Sequence, residues 1–182
     1  MYQPLLITKL QLLNKARKAG CCTPYQMRIL RARNKEQLID IFVDGLKFCL
    51  AKDYPGEEYI LQHFGKHELH LHGIYVNECI TRQTTHKALV ALGSCYGRLL
   101  YDDWKQHRVA VNGTGKVNII AKDHTFVMVD IYDSATVTIA AHDKSSIVVY
   151  YYGEANKPNI VQQGEQTKVK IQHREILKDP QL

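Results

Sequence analysis

Four histidines crowd the run HFGKHELHLH, residues 63–72. On one continuous helix His63, His67 and His70 would share a face, where imidazoles could ligate zinc. A zincin helix, however, sets its two histidines four apart so that both reach the metal and the intervening Glu reaches the bound water. Here Glu68 stands in HExH, and Gly65 breaks the helix between the first two histidines. The run therefore reads as a polar helix end, and neither a metal site nor a cofactor is expected.

The second group is acidic. Asp103, Asp123 and Asp143 recur every twenty residues, which would stack three carboxylates if the chain coils with that period. Such a ladder could hold calcium through carboxylate and turn oxygens. It could also attack a sugar as a lyase or hydrolase does, provided that two carboxyls flank the scissile bond. The simpler chemistry is that each carboxylate bonds turn amides. His124 and His142 adjoin these corners, and Cys79 and Cys95 offer thiols, but no nucleophile with a positioned base can be read from them. The chain has no GxSxG, no GxGxxG after a strand and no GxxxxGK[ST], so hydrolase, dinucleotide and nucleotide-phosphate chemistry lose support. No catalytic residue is assigned, and the chain reads as a non-enzyme.

The elements that position these residues are announced by a repeat. Gly93, Asp103, Gly113, Asp123, Asp133, Asp143 and Gly153 stand ten apart, each preceded at two and four residues by mostly apolar positions such as Ile119 and Ala121 or Val129 and Ile131. Apolar alternation closed by a turn residue is a half-buried strand. Similarity is greatest at twice the period: Val117, Ile119, Ala121 and Asp123 return unchanged as Val137, Ile139, Ala141 and Asp143. Parallel coils place like over like, whereas hairpins impose no such identity. In this the chain resembles the single-stranded right-handed parallel β-helix class, the alternative being an antiparallel sheet or sandwich. The units match no named family within that class. The expected solenoid runs over 87–175 in ten-residue half-coils, with Val169, Ile171 and His173 closing its open end.

If Val127, Val129 and Ile131 point inward, their neighbours point out. Phe126, Met128, Val148 and Tyr150, flanked by Tyr132 and Tyr152, then form an apolar and aromatic strip where a solvated sheet would be polar. It is the candidate interaction surface, fit for the N-terminal helices, for a protein partner or a second copy, or for stacking sugar rings.

Residues 1–80 read as a helical cap. Residues 1–50 hold nine Lys or Arg against three acids, and the remaining 132 hold 15 against 15, so the whole net charge of +6 lies in the first segment. Pro4–Ala19 is an amphipathic helix with Leu6, Leu10 and Leu13 on one side. Thr23-Pro24 with Gln26 suggests a capping box; a third helix starts near Asn34 with Leu38, Phe42, Leu46 and Cys49 in phase; a fourth runs from Pro55 to Phe64. The basic cluster Lys15, Arg17, Lys18, Arg28, Arg31 and Arg33 could meet phosphate, but no nucleic-acid-binding signature accompanies it, and a solvated cap is the reading adopted. No apolar run spans a membrane and no export leader is evident. Five cysteines without CxxC spacing point to a reducing cytoplasm.

Overall fold

The computed structural model describes residues 4–83 and 88–176, without the side chains of residues 82 and 83. The chain divides into a helical unit reaching His72 and a β unit from Gly73 to Ile176.

The helical unit comprises α1 (Leu5–Lys18), α2 (Thr23–Arg31), α3 (Lys35–Asp44), α4 (Leu46–Ala51), α5 (Glu57–His63) and α6 (Lys66–Leu71). Of the leucines assigned to one side of α1 only Leu13 is buried; the helix turns Thr8, Leu12, Leu13 and Ala16 inward and leaves Leu6 and Leu10 exposed. The Thr23 capping box does not form, because α2 begins at Thr23 itself after Cys22, and Gln26 instead donates to the Cys21 carbonyl at 2.6 Å. Asn34 caps α3 as its side-chain chemistry dictates, accepting from the Gln37 amide at 2.9 Å. Leu38, Phe42, Leu46 and Cys49 are all buried, although Gly45 divides their helix in two. Gly65 likewise separates α5 from α6, which starts where Glu68 accepts the Gly65 amide at 3.2 Å.

The β unit is a parallel solenoid, and the antiparallel alternative is excluded. Its strands are β1 (Ile74–Val76), β2 (Cys79–Gln83), β3 (Ala88–Leu92), β4 (Tyr96–Tyr101), β5 (Gln106–Val111), β6 (Lys116–Ala121), β7 (Phe126–Ile131), β8 (Thr136–Ala141), β9 (Ser146–Tyr152), β10 (Asn159–Gln163) and β11 (Lys168–Arg174). Odd strands form one sheet in the order β1-β3-β5-β7-β9-β11, and even strands the other, β10-β8-β6-β4-β2. Alternate strands thus climb two facing sheets, about five turns in all. Ile119 lies beside Ile139 and Val129 beside Val149, so the twenty-residue column is the pairing register.

Strands begin at Ile74, ahead of the start at 87 drawn from the repeat. The first coil was hidden because its offsets are sixteen and seventeen residues: Ile74 pairs with Val90, and Cys79 with Tyr96. At the other end the offset lengthens to 22 between Ser146 and Lys168, with an irregularity in β10 near Gln162. Between the sheets Leu89, Val109, Val129 and Val149 face Leu99, Ile119 and Ile139, each at most 1% exposed. Burying such ladders continuously is what holds the coils in register.

The corners follow turn chemistry. Asp123, Asp133, Asp143 and Gly153 hold φ between 53° and 57° at the second position of four-residue turns. The turns close by backbone bonds such as Ser145 N–H to the His142 carbonyl at 3.1 Å and Ala155 N–H to the Tyr152 carbonyl at 3.0 Å. Short carboxylate side chains make Asp one of the few non-glycine residues at ease there. Gly97, with φ 149°, answers a different need: a Cβ would stand 1.9 Å from the Ile80 carbonyl oxygen in the tight first coil.

Candidate functional site

The two sheet faces differ. On the even sheet Arg98, Lys116, Asn118 and Thr136 point outward and are exposed, while Leu100, Ile120 and Ala140 form a half-buried outward column. On the odd sheet Phe126, Met128, Val148 and Tyr150 are half-buried, while Val90, Ala110 and Asp130 at the same outward phase are at most 1% exposed. Tyr132 and Tyr152, assigned to the flank of the strip, are buried and lie parallel, ring centroids 4.5 Å apart at an interplanar angle of 1°.

A polar knot sits within this face. Arg108 donates to one Asp130 oxygen through Nε at 3.0 Å and Nη2 at 2.9 Å, and the Tyr152 hydroxyl donates to the other at 3.0 Å. Burial, the Asp130 charge and the bond to Asp130 push the Tyr152 hydroxyl up to about 12. Tyr132 is driven further in the same direction by its burial and by the same carboxylate. Both phenols therefore stay neutral. Arg174 caps the strip at its far end, its guanidinium carbon 3.6 Å from the Tyr150 ring centroid. Asp130 is legible in sequence as an outward neighbour of Met128, but its pairing with Arg108 is not, because the two are twenty-two residues apart, off the column by two. An acid at an outward position between Met128 and Tyr132 was the available signal.

The aspartate ladder does structural work at its upper two rungs. The Asp143 carboxylate accepts the Asp123 backbone amide at 3.1 Å, which is the turn-amide chemistry expected of it. Asp103 departs from the pattern. It is not left-handed like Asp123 and Asp143, and its carboxylate bonds the Lys105 amide at 3.2 Å and His107 Nε2 at 2.7 Å. Partial burial favours its neutral acid form, but the His107 and Lys105 contacts outweigh that and hold it below the usual carboxylate range. His107 is buried in the inward column that Val127 and Ile147 continue, and it packs on Tyr101 with centroids 4.5 Å apart.

This altered corner carries an unanticipated feature. Trp104, the only tryptophan of the chain, is 76% exposed and stacks on His124 of the next coil at 3.8 Å and 17°. The signal was present in sequence as an aromatic residue in the turn Asp102-Asp103-Trp104-Lys105.

The histidine run is dispersed. His63 is buried in α5, with Nε2 2.8 Å from Gln11 Oε1. His67 and His70 lie on α6, and His72 reaches Asp40 at 3.0 Å. Among the described residues no group of three His, Cys, Asp or Glu could hold a metal ion. Of the basic cluster, Arg28 pairs with Asp44, Arg17 donates to Gln26 at 3.2 Å and Lys15 to the Pro55 carbonyl at 3.2 Å.

No family model, curated protein or solved structure matches the chain. Among the described residues no helix is long and apolar enough to cross a membrane.

Proposed function

We propose that this chain is a non-enzymatic assembly or binding module whose rigid solenoid presents the odd sheet to a protein partner or to a second copy of itself. The reading is carried by a difference between faces: the even sheet exposes Arg98, Lys116, Asn118 and Thr136 beside the half-buried column Leu100, Ile120 and Ala140, whereas the odd sheet sets the larger side chains Phe126, Met128, Val148 and Tyr150, half-buried, around Arg108 and Asp130. Phe, Met and Tyr supply interface area at low entropic cost. Parallel ladders hold that face rigid, so little ordering is lost on docking. Five cysteines without a disulfide among them support action in the reducing cytoplasm.

The test is Met128→Lys with Val148→Lys, followed by light scattering at several concentrations and by thermal melting. Docking on a second copy predicts an associated wild type and a folded monomeric double variant. A heterologous partner predicts lost binding at unchanged melting temperature. A variant that melts lower with unchanged mass would place these side chains in intramolecular packing and remove the basis of the proposal.

A further inference from the structure

From the corner between β4 and β5 we infer a second, independent site, a carbohydrate platform formed by Trp104 on His124. It does not depend on the odd sheet being an interface. Corners of this solenoid require only turn residues, and the later positions in the same column are His124 and Lys144. An indole 76% exposed there gives the fold little burial, since apolar area stabilises only when it leaves water. It is nevertheless fixed: His124 stacks on one face nearly parallel, at 3.8 Å and 17°. The loop beneath is held by Asp103, whose carboxylate binds both the Lys105 amide and buried His107. An indole stacked on one side and 76% exposed is a pre-organised flat surface that suits a flat apolar ligand face.

The surroundings choose the ligand. Asp102, Asp123 and Asp143 are exposed beside the platform and Asp103 partly so, with Lys105, Lys122 and Lys144 interspersed. Four carboxylates against three ammonium groups do not attract a phosphate backbone, which binds where cations dominate. They do offer acceptors and donors together, the pairing that hydroxyl groups need. The axial C–H groups of a neutral pyranose meet the negative π face of the indole while its hydroxyls meet the rim. One coil further the column carries Lys144 in place of a ring, so the platform seats one sugar residue. Its affinity belongs in the millimolar range, roughly 1 mM.

Because Trp104 is the only tryptophan, emission excited at the red edge of the indole band, where the 11 tyrosines absorb little, reports on this site alone. Cello-, chito-, malto- and manno-hexaose, each titrated to roughly 10 mM, should include at least one that shifts the emission saturably, while a short oligothymidylate leaves it unchanged. The His124→Ala chain should bind that glycan several-fold more weakly. By calorimetry Trp104→Ala should lose at least about tenfold in affinity at an unchanged melting temperature, and Trp104→Phe should keep most of it. Silence towards all four glycans overturns the assignment. So does a response to the oligothymidylate alone, which would mark a nucleobase platform, or glycan binding that survives intact in Trp104→Ala.

Discussion

At Asp130 a carboxylate only 1% exposed is satisfied by Arg108 and Tyr152, so its partner matters more than the pair's net worth. Arg108→Met strands a buried charge and should cost about 3–5 kcal/mol in urea unfolding. Adding Asp130→Leu removes that charge and should recover most of the loss, since apolar replacement of a buried pair is often neutral. A double variant no better than the single would show that packing, not the stranded charge, sets the penalty. His63 gives a pH dependence. Burial, then Lys35 and Lys15, lower its proton affinity, and its buried Nδ1 has no hydrogen-bond partner among the described residues. The unfolded chain therefore binds this proton more readily than the folded one. The stability gained from neutral His63 is complete above the ordinary value near 6.5 and is lost as pH falls below it. Denaturation at pH 7 and pH 5 should show that loss for the helical unit, and His63→Gln should flatten the slope whatever it does to stability at pH 7.

At the scale of elements, the columns carry the stability. Ile139, fully buried and paired with Ile119, should cost about 2–5 kcal/mol on truncation to Ala, through lost transfer energy and the cavity left behind. Thr136→Ala, exposed on the same strand, should change stability by less than about 0.5 kcal/mol. Equal effects in chemical unfolding would mean that the even sheet is not packed on the odd one. The corner columns add a device that apolar alternation does not reveal. Thr125, Ser145 and Thr167 are buried one above another, and the hydroxyls of Ser145 and Thr167 each donate at 2.7 Å to the carbonyl three residues back. The Thr125 hydroxyl instead ties two coils together, accepting the Asp103 amide at 2.9 Å and donating to the Asp103 carbonyl.

For the whole molecule, charge and shape separate. The net charge of +6 arises within the first fifty residues, yet Arg28, Arg17 and Lys15 already have partners inside the helical unit. Nonspecific duplex DNA should therefore bind weakly at physiological salt, with Kd around 10⁻⁴ M or above. A micromolar complex in fluorescence anisotropy, abolished by Arg28→Glu with Arg31→Glu, would contradict this.

The sequence by itself determined the solenoid wherever like residues recur at twenty, because parallel strands stack identical side chains and the regular corners take Asp or Gly in a left-handed turn. Val117 to Asp143 could be placed in register from spacing alone. Only the tertiary structure decided the first and last coils, whose offsets of sixteen, seventeen and twenty-two residues erase the column. It also decided which outward residues are covered and how the exceptional corner is built. Asp103 lies outside the left-handed region, its carboxylate held by His107 and its backbone amide by the Thr125 hydroxyl. Trp104 meets His124 because they stand one coil apart, and Arg108 meets Asp130 across neighbouring strands. A periodic pattern encodes what repeats; contacts made once depend on which side chains the folded coils bring within reach.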